Sequence, residues 1–308
     1  MNKFLALNEL NQTATVQPGM LGPAYEAALN QAPEELSARR RYTGGHFPQS
    51  FEHSTVGGWV VTLGSGQAST YYGDAADMVV SQEYVTPTGN FKTLPYPAAA
   101  TGPKVNDIMK GAEGTFGILV EVTMKVFRHM PANRRYFSFM FPSWEAAVDA
   151  SREIAQGQFG RPAVYRISDP EETDRGLKLY GIPALADRFL VKRGYLPRQR
   201  CLCLGIVEGD RDYTRLVKRK IRKIAKQHHA IYLGTYAGQK WEKTRYREPY
   251  MREDLHDYGI TIDTLSSRLM NAVYRSGSIW CAMSTDADSD SKTEVVWQEI
   301  NTNGGVPN

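Results

Sequence analysis

The stretch His46-Phe47-Pro48-Gln49-Ser50-Phe51-Glu52-His53-Ser54-Thr55-Val56-Gly57-Gly58-Trp59 concentrates groups that could do chemistry. Ser54 and Thr55 supply hydroxyls, and the adjacent Gly57 and Gly58 let the backbone turn tightly and approach a ligand without side-chain obstruction. Amide groups converging there would suit an anion, most often a phosphate or pyrophosphate. On composition alone the same cluster reads as a plain loop. His46 carries an imidazole that titrates near neutrality, fit for a base or a donor, and taken alone reads equally as a loop histidine bonded to backbone. A second small-residue segment, Gly111-Ala112-Glu113-Gly114-Thr115-Phe116-Gly117-Ile118, would put one hydroxyl beside a ligand, or would simply be a strand-to-strand turn capped by Thr115. Arg166 and Arg252 are guanidinium groups of the kind that hold phosphates or carboxylates by forked hydrogen bonds. Each also reads as an ion-pair partner, Arg252 having Glu253 and Asp254 beside it.

Other clusters carry less. Lys218, Arg219, Lys220, Arg222, Lys223 and Lys226 form a basic stripe with no interleaved aromatics, which reads as a solvated helix face and not a nucleic-acid surface. His228 and His229 lack a spaced metal-ligating partner and suit a helix end. Asp286, Asp288 and Asp290 begin like a calcium loop but lack its glycine and its twelfth-position Glu, so no metal is expected. No G-x-G-x-x-G or P-loop occurs, which argues against a nicotinamide or ATP enzyme.

These groups need elements to hold them. Thr13 to Pro18 alternates as a strand, Leu21 to Leu29 has helical spacing, Met78 to Thr86 and Phe91 to Leu94 read as a hairpin about Pro87-Thr88-Gly89, Val105 to Lys110 as a short helix and Ile118 to Phe127 as a strand. From Arg134 the pattern changes. Strands at Tyr136 to Phe141, Ala163 to Ile167, Arg200 to Glu208 and Ala230 to Gly234 alternate with helices at Trp144 to Gln156, opened by Ser143 as N-cap, and at Asp212 to His228. Repeated strand–helix–strand units of this kind make an α+β domain, an antiparallel sheet with helices on one face.

A chain of 308 residues with 42% hydrophobic residues can bury two cores, and its charge of +4 suits small anionic ligands without demanding nucleic acid. Cys201 and Cys203 would share one strand face as small buried hydrophobes, and the odd count of 3 with Cys281 fits the reducing cytoplasm. The N-terminus has no signal-peptide core, and no run reaches the ~18 apolar residues of a membrane span.

Phe51 to Trp59, followed by Gly64-Ser65-Gly66 and Tyr72-Gly73, resembles the pattern of the alkyldihydroxyacetonephosphate synthase branch of the FAD-linked oxidases, the vanillyl-alcohol-oxidase type. Gly111 to Ile118 lies downstream at the distance that pattern has, and the resemblance runs from Thr15 to about Leu265. It implies FAD as cofactor, residues 1–131 as the second part of a PCMH-type FAD-binding domain, 132–265 as a cap or substrate domain, and 266–308 as a divergent, poorly ordered tail. Carried over residue by residue, the FAD-contacting positions are Gln49, Ser50, Phe51, Glu52, His53, Ser54, Thr55, Gly57, Gly58, Thr62, Leu63, Gly64, Ser65, Glu113, Gly114, Thr115, Phe116, Gly117, Ile118 and Leu119. His46, Arg166 and Arg252 match active-site positions. Gln49 stands where the family's animal enzymes have an acid, and His53 where an aromatic is usual. The family's glycine-rich pyrophosphate loop has no counterpart, so the sequence reads as a fragment that starts inside a domain and lacks the usual C-terminus.

The implied reaction exchanges the acyl chain of acyl-dihydroxyacetone phosphate for a fatty alcohol through a flavin N5 adduct, with Arg252 on the substrate phosphate and Arg166 and His46 assisting. The alternatives that the resemblance leaves are an FAD-linked oxidoreductase of a 2-hydroxy acid or alcohol, and an inactive remnant that binds no flavin. The partner expected is a small phosphate- or carboxylate-bearing molecule. Peripheral membrane association follows if that molecule is a lipid, and a homodimer is compatible with the pattern.

Overall fold

A computed structural model describes residues 1–96, 100–180 and 182–246, Asp257, and the short strands at 261–262, 283–284 and 299–301. The chain divides into two compact units, Met1–Pro131 and Ala132–Asn308.

The first unit is built on strands β1 (Phe4–Asn8) and β2 (Thr13–Val16), helices α1 (Gly22–Asn30) and α2 (Ala32–Glu35), strand β3 (Tyr42–Thr43), and helices α3 (Val56–Val61), α4 (Ser69–Tyr72) and α5 (Ala75–Met78). The hairpin β4 (Val79–Thr86) and β5 (Gly89–Lys92), helix α6 (Val105–Met109), β6 (Ile118–Lys125) and β7 (Phe127–Arg128) complete it. Its main sheet has the order β1-β2-β6-β4-β5 and is antiparallel at every pairing. Alternation decides which side faces inward: Ala14 and Val16 of β2 and Val122 and Met124 of β6 are buried. Proline at the N-terminal turn starts α1, which turns Tyr25, Glu26 and Leu29 inward. β1 is an edge strand that the alternation rule missed, because Leu5 is exposed and the strand is held by pairing to β2 more than by burial. β3 and β7 form a separate two-stranded ribbon, Tyr42 opposite Arg128 and Thr43 opposite Phe127.

The second unit runs β8 (Arg135–Phe141), α7 (Trp144–Gln156), β9 (Val164–Ser168), α8 (Pro170–Tyr180), α9 (Ala184–Lys192), β10 (Cys201–Val207), α10 (Arg211–Gln227), β11 (Ile231–Gly234) and α11 (Tyr236–Thr244), followed by the short strands β12 (Thr261–Ile262), β13 (Met283–Ser284) and β14 (Glu299–Asn301). The sheet order is β11-β8-β10-β9-β14, again antiparallel. One face carries Phe137, Phe139, Phe141, Tyr165, Ile167, Cys201 and Cys203, packed beneath Ala147, Ala150 and Ile154 of α7 and Val217, Ile221 and Ile224 of α10. Gly205 lets the Phe137 ring cross the sheet, since a Cβ there would lie 2.3 Å from its tip. On the opposite face Met140 packs with Leu190 and Tyr195. Ser143 caps α7 by accepting the Ala146 amide at 3.3 Å. Asp210 does the same for α10 at Asp212, 2.8 Å. The basic stripe lies on the exposed side of α10, with Lys218 and Arg222 resting over the Tyr232 ring. The tail 266–308, apart from β13 and β14, lies outside the described residues, as do Asp286, Asp288 and Asp290. Among the described residues no helix is long and apolar enough to cross a membrane.

Cys201 and Cys203 are free and buried on one face of β10. Burial pushes the Cys203 thiol up to about 12 and the Cys201 thiol higher still. A disulfide reagent at mildly alkaline pH is therefore expected to leave both untouched in the native protein and to label both in denaturant, as read by peptide mapping. Labelling of either one before denaturation would show that this sheet opens.

Candidate functional site

Thr55 ends an extended segment, and its Oγ1 accepts the Gly58 amide at 3.1 Å, starting α3. The two following amides are also spent inside the protein, Val56 on Met20 O at 2.9 Å and Gly57 on Pro18 O at 2.8 Å. Ser54 Oγ accepts the Trp59 indole N–H at 2.7 Å. The amide cradle that the Ser-Thr-Gly-Gly run promised an anion is thus filled by the protein itself. These contacts serve to seat α3 against the Pro18–Met20 turn. Gly57 is required for that seating, because a Cβ there would stand 2.3 Å from the Pro18 Cβ. Gly58 is different: half-buried, its Cβ position meets only Thr55 Oγ1 at 3.2 Å and otherwise opens outward.

The second small-residue segment docks on the end of this helix. The Gly111 amide donates to Val60 O at 3.2 Å and the Glu113 amide to Val61 O at 3.1 Å. Gly111 presses on Leu63, where a Cβ would come within 2.7 Å of the side chain. Leu63 (φ 53°), Glu113 (φ 45°) and Gly114 (φ 84°) adopt left-handed backbone, and the space around Gly114 is open. The two segments, some fifty residues apart in sequence by Gly58 and Glu113 numbering, so form one shelf. Thr62, Leu63, Glu113, Thr115, Phe116 and Ile118 are exposed on it. Phe116 also edges a cleft of about 410 Å³ formed with Thr86, Pro87, Phe91 and Ile108.

His46 is only 2% exposed. Its ring sits 4.8 Å from that of Trp59, and the Gly64-Ser65-Gly66 loop closes over it, Cβ positions at Gly64 and Gly66 lying 3.6 Å from Nε2 and 3.2 Å from Nδ1. Among the described residues neither ring nitrogen has a hydrogen-bond partner. Burial lowers its pKa to about 4, an effect that the nearby Asp74 carboxylate partly opposes. The imidazole is therefore neutral at ordinary pH, with both ring nitrogens buried and without a hydrogen-bond partner among the described residues.

The other expected contacts divide. Phe51 is buried and stacks on Trp59 with centroids 6.3 Å apart, so it belongs to the support of the site. Gln49, Ser65 and Gly64 are partly buried, Ser50, Glu52 and His53 exposed, and Gly117 is pinned against the Val85 carbonyl at 2.5 Å from its Cβ position. Leu119 is buried within β6. Arg166 belongs to the second unit, buried on β9, where Nη2 donates to Glu172 Oε1 at 2.5 Å. Arg252 lies outside the described residues. Two contributors escaped the sequence reading, Tyr25 and Glu26. Their signal was a carboxylate placed on the inward face of an otherwise apolar helix.

Two family models match the chain: residues 1–94 match the FAD binding domain, and 130–264 the C-terminal domain of FAD linked oxidases. The chain is 33% identical over 282 residues to an alkyldihydroxyacetonephosphate synthase of Dictyostelium discoideum, covering 88% of this chain and 44% of that protein. A D-lactate dehydrogenase of Anaerostipes hadrus is 31% identical over 158 residues, 51% of this chain and 30% of that one. Among solved structures, an alkyldihydroxyacetonephosphate synthase superposes with a TM-score of 0.72 at 33% identity, covering 85% of this chain and 47% of the other. The chain spans about half the length of the synthases it matches.

Proposed function

The chain belongs to the FAD-linked oxidases, whose cofactor is FAD, and from that membership we propose a flavoenzyme that exchanges the acyl chain of acyl-dihydroxyacetone phosphate for a fatty alcohol. The observation that carries the proposal is the joining of the two small-residue segments, through the Gly111 and Glu113 amides, into one open shelf in the unit that also holds the orphaned imidazole of His46. The residues fit the cofactor. Gly58 and Gly114 leave room for close approach, Thr62 and Thr115 offer hydroxyls, and Leu63 and Phe116 offer apolar surface to a planar ring. When bound, FAD supplies a ring that takes up and returns an electron pair.

The protein's own groups do the rest. His46, neutral above about pH 5, accepts a proton released from the substrate carbon or from the incoming alcohol. Its burial excludes water from that transfer. Arg166 and Arg252 carry the charge that holds a phosphate, Arg166 with its guanidinium oriented by Glu172. A substrate with a long acyl chain would be drawn from a membrane surface, so peripheral association is part of this reading. The likeness to a D-lactate dehydrogenase favours a second reading, oxidation of a 2-hydroxy acid.

The test is a visible spectrum of the full chain prepared with FAD. Stoichiometric oxidised-flavin bands that bleach on addition of acyl-dihydroxyacetone phosphate, with no electron acceptor consumed, are the expected result. Bleaching by D-lactate with recovery by an acceptor dye would move the assignment to the dehydrogenase. A folded but colourless protein would remove both activities from this chain.

A further inference from the structure

Glu26 is a carboxylate left only 8% exposed on the inner side of α1. Its Oε1 accepts the Gly44 amide at 2.5 Å and the Thr43 hydroxyl at 3.0 Å, while Oε2 lies 2.9 Å from the same hydroxyl and accepts Asn30 Nδ2 at 3.0 Å. Thr43 Oγ1 in turn accepts the Gly45 amide at 3.2 Å. Three consecutive residues are tied to one carboxylate, and the fourth is His46. The path they follow leaves no slack. A Cβ on Gly44 would lie 2.5 Å from the Tyr25 ring, and one on Gly45, whose φ is +71°, would lie 2.6 Å from the Tyr72 ring. Tyr25, next to Glu26, also presents its edge to Trp59 at 6.3 Å, and Trp59 is the wall against which His46 rests at 4.8 Å. One turn of α1 therefore sets both the backbone that carries the imidazole and the aromatic surface behind it. Burying a carboxylate is costly unless its bonds are worth the desolvation, and bonds from a backbone amide to an ionised acceptor are the stronger kind.

We propose that Glu26 is a positioning residue for His46: its carboxylate fixes Thr43, Gly44 and Gly45 so that the imidazole is held in one orientation against Trp59 and the Gly64–Gly66 loop. The catalytic half of the proposal rests on the role given to His46 above; the structural half does not.

The experiment uses the full chain with FAD supplied, labelled with carbon-13 at the histidine ring, and compares wild type with Glu26→Ala, Glu26→Gln and Thr43→Val, with His46→Asn to assign the resonance. Wild-type His46 is expected to stay neutral between about pH 5.5 and about pH 8, whereas in Glu26→Ala the resonance shifts and titrates toward the ordinary histidine range near 6.5. Glu26→Gln keeps an acceptor for the Gly44 amide and retains the wild-type resonance. The flavin step falls about a hundredfold in Glu26→Ala at unchanged flavin content, the scale of a displaced catalytic group, and by only a few-fold in Glu26→Gln. Should Glu26→Ala not fold, Thr43→Val, which removes one hydroxyl, gives a smaller shift in the same direction. A wild-type His46 resonance in folded Glu26→Ala, or in Thr43→Val if that is the variant that folds, overturns the proposal. If His46→Asn leaves the flavin reaction intact, the functional reading fails while the ring resonances still decide the structural claim.

Discussion

Acidification from about pH 7 to about pH 4 is expected to remove about 3 kcal/mol of stability from the first unit through His46 alone. The folded pKa is lowered to about 4 by burial, against an ordinary value near 6.5, so in this window the unfolded chain binds a proton that the folded one refuses. The contribution is fully present above the unfolded value and is lost as pH falls toward the folded one. Hydrogen exchange at the amides of α1 and α3, in wild type and in His46→Asn, isolates it from the carboxylates that titrate in the same range. The wild-type protein should lose protection steeply on acidification, and the variant should lack that increment. Equal slopes in the two proteins would mean that the imidazole is hydrated or paired in solution. The same neutrality bears on chemistry: an acid limb governed by His46 falls near pH 4, well below the usual histidine range.

Gly57→Ala and Gly58→Ala, one atom each at neighbouring positions, should have opposite consequences. At Gly57 the added methyl meets the Pro18 Cβ at 2.3 Å, its carbonyl oxygen at 2.9 Å and its Cα at 3.0 Å, and none of these can swing away as a flexible side chain would. Forcing α3 off the Pro18–Met20 turn also breaks the Gly57–Pro18 hydrogen bond. A cost of about 3 kcal/mol is expected, at the upper end of overpacking effects, with loss of flavin as a secondary result. At Gly58 the nearest atom is Thr55 Oγ1 at 3.2 Å, and alanine in a helix is favoured over glycine by about 1 kcal/mol. Gly58→Ala should therefore melt at or above the wild-type temperature yet take up FAD more weakly, because its methyl stands on the shelf. Thermal melts with flavin absorbance on the same samples read both effects. Wild-type FAD uptake by Gly58→Ala would remove that residue from the contact surface.

The periodic elements were legible because their apolar residues recur at the period of the element, even where, as in β8, both faces are buried. α7 and α10 carry apolar residues at helical spacing, and β8 alternates Phe137, Phe139 and Phe141 with Ser138 and Met140. β1, α8 and α9 were missed: an edge strand needs little burial, and the apolar residues between Pro170 and Lys192 are interrupted by Gly176, Gly181 and Pro183, with Leu190 the buried one in α9. At the site, residue types marked the two small-residue segments that the fold joins, but not how their groups divide. Gly57 and Gly58 are identical in sequence, and only the position of Pro18 separates the packing glycine from the open one. The Ser-Thr pair promised an anion cradle because sequence counts donors without knowing their partners, and the structure gives those amides to Met20, Pro18 and Thr55. Glu26 was invisible for the same reason, since its meaning lies in Thr43 and Gly44, seventeen and eighteen positions away.

The small ribbon β3–β7 has a consequence for the order of events during synthesis. Thr43 pairs with Phe127, the Arg41 carbonyl accepts the His129 amide at 2.9 Å, and Phe127 packs its ring 4.7 Å from that of Tyr72. A domain folding as it leaves the ribosome can close such a contact only after the distal strand has emerged. A nascent chain halted before Phe127 already holds every residue from Glu26 to Gly66, but not the strand that lines up Thr43 beneath its carboxylate. The imidazole is in this sense made well before the strand that completes the ribbon beside it.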